Sequence, residues 1–411
     1  MFFNIIFFVS VFNFIDCLNI KTFIPRSLWG RRILLNGPVK NNNYISNFDG
    51  YGHITSVVFK KNEAIISEVK IPTETEITFP LSDFLERDYL GLIYKLPYLI
   101  KNPDNIQSGT RNTAVCQFNN KYYAVEESCR PIELKYDKND NLYISKKSDE
   151  INKMSPHLPN KNTIFSYTFL KKNPLKLNNS IEIPWQPRIY PFLIHDCKST
   201  DDLNYYIFPL MSTSLGNFFK YFIGIQDIPL NSKSNKMGWL IYDKSENKCH
   251  QIFMNEYADV FHIANIEHLN NNIYKIYASF VYNFVDWLTL KGDINIKLKE
   301  ITIDFNNFKI IEINNTNLSM DFVHKINNNL IGSSLASKPG IINYDCHKKN
   351  FVNINLVGDI VREIIPYDKY LLYFSHSSKD SYLCIADLKT GKLINKIQVP
   401  NRIAGFHTTL F

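Results

Sequence analysis

A chain of 411 residues, 45% hydrophobic and 21% charged, carries too much apolar side chain to stay disordered and is long enough to bury a large core. Its formal charge of +7 comes from basic residues scattered along the chain, not gathered into an arginine-rich stripe, so nucleic-acid binding is set aside and the charge reads as a solvated surface. The seven cysteines lie far apart with no CxxC spacing, which excludes a disulfide framework and a short thiolate metal motif as organising features.

The chain opens on MFFNIIFFVSVFNFIDCLNI, an apolar stretch interrupted by Asn4, Asn13 and Asp16. Residues 1–19 are expected to be a secretory signal or an uncleaved membrane anchor, which implies a secretory or endomembrane route, with residues 20–411 forming a single domain. No later stretch reaches membrane-spanning length. Short β-prone runs then flank Asp-centred turns in LKYDKNDNLYI, WLIYDKSENKCHQIF, ITIDFNNFKIIEI, INYDCHKKNFVNINL and CIADLKTGKLINKIQV, and each predicts a hairpin. The turn residues are Asp137, Asp243, Asp304, Asp345 and Asp387, and in the later part they recur at about the forty-residue spacing of a four-stranded propeller blade. Helical periodicity is scarce and no Gly-rich phosphate loop follows a strand. The expectation is therefore all-β, a β-propeller in preference to a large sandwich.

A propeller brings residues distant in sequence to a common axis, which directs attention to the ten histidines. None belongs to an HxH or HExxH pair, so none singly reads as a ligand. Four have distinctive surroundings. His157 lies in the Pro-flanked turn of KMSPHLPNKNTIFSYTF, His195 follows an apolar run in YPFLIHDCKST, His262 lies in DVFHIANIEHL, and His407 stands in the terminal Gly-Phe-His of RIAGFHTTLF.

With these segments in order, the sequence from about residue 24 to residue 411 resembles the carotenoid cleavage oxygenase family. The resemblance begins at IPRSLWGRRILLNGPV with its Asn-Gly-Pro ending. It continues through NFDGYGHITSVVF and through NTAVCQFNNKYYAVEESCRP with its glutamate, and then runs through the four histidine segments in the family's order. It implies an all-β, seven-bladed β-propeller with an Fe(II) on the axis and loops roofing an active-site tunnel. It further implies that His157, His195, His262 and His407 are the ligands, and that Glu127 holds one of the rings. For another ring the resemblance points to LVGDIVREIIP, where Asp359 is the expected partner and Glu363 the alternative; the stretch NNTNLSMDF, around Thr316 and Asn317, is expected to lack the carboxylate that relatives have there. Phe48 is expected to line the cavity, and Glu126 stands where relatives have small or apolar residues. Phe218, Phe219, Tyr221, Phe222 and Ile223 fall in a segment that meets the membrane in relatives. The implied activity is O2-dependent cleavage of a conjugated C=C bond in an apolar carotenoid, apocarotenoid or stilbene-like substrate. The alternatives are isomerohydrolase chemistry on a retinyl ester at the same iron, and a degenerate propeller that binds an apolar ligand without turnover.

Overall fold

The computed structural model describes residues 18–39, 52–71, 111–127, 129–168, 171–186, 194–210, 236–282, 295–334, 340–348, 350–354, 360–377, 379–401 and 405–411. Their strands form seven separate antiparallel sheets, the blades of a β-propeller, as expected. In chain order from residue 114, blade 2 starts with the innermost strand Ala114–Phe118, blade 3 with Phe165–Tyr167, and blade 4 with Lys198–Ser199. Blade 5 starts with Asp259–Asn270, blade 6 with Met320–Ile326 and blade 7 with Ile360–Tyr367. Among the described residues no helix is long and apolar enough to cross a membrane.

Blade 1 closes the ring from both ends of the chain. Its strand order is Leu18–Lys21, Glu63–Lys70, Gly52–Lys60, Arg32–Pro38 and His407–Leu410, so the chain's last strand is the innermost one. The residue 19 boundary expected from sequence falls inside the outermost strand, where Leu18 pairs with Ile66 and Asn19 with Ile65. The C-terminus is held at several points. Asn36 pairs with His407 in the ladder, the Phe406 N–H donates to the Asn36 carbonyl at 2.7 Å, and Phe411 packs edge-on to Tyr122 at 4.8 Å between centroids. The Asn36 side chain also donates to the carbonyls of Arg111 and Ala114, each at 3.0 Å, which ties blade 1 to the innermost strand of blade 2. Gly405 is required by space: a Cβ there would lie 2.2 Å from the Leu35 side chain, itself buried.

The core lies between the faces of successive blades. Trp239, Ile241, Ile276, Phe280, Ile301 and Phe305 form one such cluster, and Leu35, Val57, Phe59, Leu372 and Phe374 form another across the ring closure. Each large side chain buried in this way contributes about 1.5–3 kcal/mol. The hairpin turns follow local chemistry. Asp137 Oδ1 accepts from the backbone N–H of Asn139 and Asn141, and Asp387 Oδ1 from those of Lys389 and Thr390, as Asx turns require.

One irregularity recurs in three successive blades at the same end of the axis. At this point the innermost strands of blades 5, 6 and 7 each carry one extra residue against their neighbour, and the blade 5 strand has two further register shifts after Ile263. The pairs Phe261–His262, Phe322–Val323 and Arg362–Glu363 oppose the single residues Ser279, Gly332 and Phe374. Such bulges re-aim side chains at a sheet's edge. Here they turn the polar residues of three strands to one point.

Candidate metal centre

His157, His195, His262 and His407 meet on the axis, each offering one ring nitrogen, and these nitrogens all lie within 4.8 Å of one another. The Nε2 atoms of His157 and His195 are 3.1 Å apart and those of His195 and His262 are 3.3 Å apart. Each ring reaches this point by a different local device. His157 sits on the turn before blade 3, where the Cys116 thiol donates to the Pro156 carbonyl at 2.9 Å; burial pushes that thiol up to about 12, so it keeps its proton. The neighbouring Ser155 hydroxyl donates to the His195 carbonyl at 2.6 Å. Asp196, almost wholly buried, accepts the Ile263 N–H at 2.6 Å and so joins the residue after His195 to the residue after His262. His262 projects from the blade 5 bulge, and His407 opens the closing strand.

Three rings are held from behind. His195 Nδ1 meets Glu127 Oε1, His262 Nδ1 meets Asp321 Oδ1 at 2.9 Å, and His407 Nδ1 meets Glu363 Oε2 at 3.0 Å. Burial pushes all three carboxyl groups up, but the facing imidazoles and their hydrogen bonds outweigh it and hold Glu127, Asp321 and Glu363 below the ordinary carboxylate range. An ionised carboxylate only accepts, so each ring donates its Nδ1–H and presents the Nε2 lone pair to the axis. Burial, and then the neighbouring His407, His195 and His262, hold His157 well below its ordinary value, which keeps it neutral at pH 7.

Lone pairs facing one another at this spacing repel, and the buried Glu127 and Asp321 with the part-buried Glu363 need a compensating charge. A divalent cation among the Nε2 atoms relieves both, and four imidazole nitrogens suit a first-row transition metal. The donor set therefore fits iron. Two aromatic rings flank it: Phe261 lies 5.2 Å from His195 between centroids, and Phe322 lies 4.8 Å from His262 and 5.4 Å from His407. Phe322 has φ 51°, a left-handed conformation that costs about 1–3 kcal/mol for such a side chain and that the blade 6 bulge imposes.

The structure corrects the expectation for NNTNLSMDF. That stretch does supply a carboxylate, Asp321, because the following bulge turns it to His262, whereas Thr316 donates its hydroxyl to the Leu298 carbonyl at 2.8 Å. The signal available in the sequence is the acid at Asp321 within that same stretch, directly before Phe322. Of the two acids weighed in LVGDIVREIIP, Glu363 faces His407, while Asp359 lies outside the described residues. Phe48, Phe218, Phe219, Tyr221, Phe222 and Ile223 also lie outside them. Of the remaining described histidines, His324 lies beside Glu363, 3.8 Å from its Oε1, whereas His376 shares a hydrogen bond with Ser381 at 2.9 Å and His250 stacks on Phe308.

No family model and no curated protein matches the sequence. Solved structures do match the fold. A mutant form of Synechocystis apocarotenoid oxygenase superposes with TM-score 0.70 at 16% identity, covering 96% of this chain and 95% of that one. Lignostilbene dioxygenase of Pseudomonas brassicacearum gives TM-score 0.68 at 13% identity, covering 96% and 94%. An ACO/RPE65 chimera gives 0.68 at 16%, covering 96% and 95%. The chain thus has the fold of these oxygenases over almost its whole length.

Proposed function

We propose that the chain is a non-haem iron(II) oxygenase of the carotenoid cleavage oxygenase family, which splits a conjugated C=C bond of an apolar carotenoid, apocarotenoid or stilbene-like substrate. The observation that carries this reading is the convergence of four Nε2 atoms backed by the carboxylates of Glu127, Asp321 and Glu363, on a fold shared with an apocarotenoid oxygenase and a lignostilbene dioxygenase.

His157, His195, His262 and His407 would hold the metal, and Glu127, Asp321 and Glu363 would fix the tautomer and direction of three of them. The iron, when bound, supplies oxygen activation. The alkene and O2 together contain every atom of two carbonyl products, so no reductant or external proton is needed, and the chain's residues need only orient the substrate and exclude water. Phe261 and Phe322 present apolar faces beside the ligand rings, which suits a hydrocarbon chain.

The test is iron content of the purified protein together with oxygen uptake against a panel of apocarotenoids and stilbenes. About one iron per chain and stoichiometric O2 consumption with two carbonyl products supports the reading. Bound iron with retinyl-ester turnover and no oxygen uptake replaces it with isomerohydrolase chemistry, and a protein that takes up no iron defeats both.

A further inference from the structure

His324 lies on the innermost strand of blade 6, three residues past Asp321 and just beyond the bulge. Its side chain is partly exposed, but Nε2 is shut away from solvent and has no hydrogen-bond partner. That atom faces Glu363 Oε1 at 3.8 Å. Glu363 commits its other oxygen, Oε2, to the His407 ring and to the Thr408 N–H, at 3.0 and 2.7 Å. A separation of 3.8 Å is an ion-pair distance but too long for a hydrogen bond, so ring and carboxylate are poised, not joined.

We propose that His324 is a positioning residue of the metal centre, acting on the His407 ligand through Glu363, and that a proton on its ring loosens the site's hold on its metal. The inference rests on the metal reading above. A protonated ring would close on Oε1 as a charge-assisted donor and draw the carboxylate's charge away from Oε2. The His407 Nδ1–H would then be held less strongly, leaving Nε2 a poorer ligand. The groups that bear on His324 are Glu363 and the Ile364 backbone, which favour its proton, and Lys198 and His262, which oppose it; burial opposes it most, and the net direction is below the ordinary value of 6.5. The ring is therefore neutral at pH 7 and the effect belongs to the acid side.

Cobalt(II) titration of the full chain, followed by its visible absorption from about pH 7.5 down to about pH 5, separates this role from the ligands' own proton uptake, which every variant shares. Compared across that range, the wild type should lose about three- to tenfold more affinity than His324→Gln, and His324→Gln should add nothing in a Glu363→Gln background. Parallel wild-type and His324→Gln profiles overturn the inference while leaving the metal reading intact; a wild type that binds no cobalt at pH 7.5 removes both. A metal-free readout is independent of affinity. The His324 imidazole resonances should titrate at lower pH in Glu363→Gln than in the wild type, and an unchanged midpoint also overturns the proposal.

Discussion

Glu363 and His407 stand 44 residues apart in sequence, yet one carboxylate oxygen accepts both the His407 ring at 3.0 Å and the Thr408 N–H at 2.7 Å. A single side chain of blade 7 thus holds both the last of the four axial histidines and the backbone of the strand that closes the ring. Site and ring closure share one contact, so a histidine on the closing strand is held where it meets the other three.

His407→Gln and deletion of residues 406–411 should therefore separate. Gln leaves the ladder from Asn36–His407 to Ile33–Leu410 in place, so this variant should fold with a thermal midpoint close to that of the metal-free wild type while retaining almost no iron. The deletion removes that ladder and the Phe411 packing on Tyr122 and should cost several kcal/mol, a fall in midpoint of about 5 °C for a chain of this length. Thermal unfolding with metal analysis on both variants checks this; full iron occupancy in His407→Gln would remove it from the ligand set.

Glu127→Gln, Asp321→Asn and Glu363→Gln should each weaken metal affinity by about 10- to 100-fold with the fold kept, since the amide can still accept a hydrogen bond but no longer supplies charge. Asp359→Asn should leave affinity unchanged. Competitive titration against a chelator distinguishes the four, and a strong effect at Asp359 would displace Glu363 from its assigned role.

Gly332 faces the bulge that aims Asp321. A Cβ at this position would lie 2.8 Å from the Asp321 carbonyl oxygen, 2.8 Å from Val323 Cγ2 and 2.7 Å from Met320 Cε. The backbone oxygen cannot yield without moving Asp321. Gly332→Ala should destabilise by about 1–3 kcal/mol in denaturant unfolding and also lower metal affinity, although it touches no ligand. Loss of stability with unchanged affinity would show that the bulge does not position Asp321.

Acid should weaken the metal-free protein through the same carboxylates. Their ordinary values are 4.5 for Glu127 and Glu363 and 3.8 for Asp321, and all three are held lower in the folded state. The stability they contribute is fully present above those ordinary values and is lost as pH falls through the depressed folded ones, because the unfolded chain then binds more protons. Unfolding free energy should thus fall steeply below about pH 4.5, and Asp321→Asn should flatten part of that slope. An identical slope in the variant would mean that Asp321 is not held in its charged form.

The sequence by itself determined what local chemistry decides. Aspartates in turns, such as Asp137 and Asp387, made hairpins legible because their side chains bond backbone N–H groups two to four residues on. The order of four histidine segments, read with their neighbours, marked the rings that meet on the axis. Tertiary structure alone decided which acid serves which ring. Asp321 reaches His262 from the next blade, and Glu363 rather than any nearer residue reaches His407, because one-residue bulges in the innermost strands shift the register just there. A bulge leaves the alternation on either side of it intact and so carries almost no signal in the sequence, while the contacts it creates span 44 and 59 residues and depend on how neighbouring blades pack.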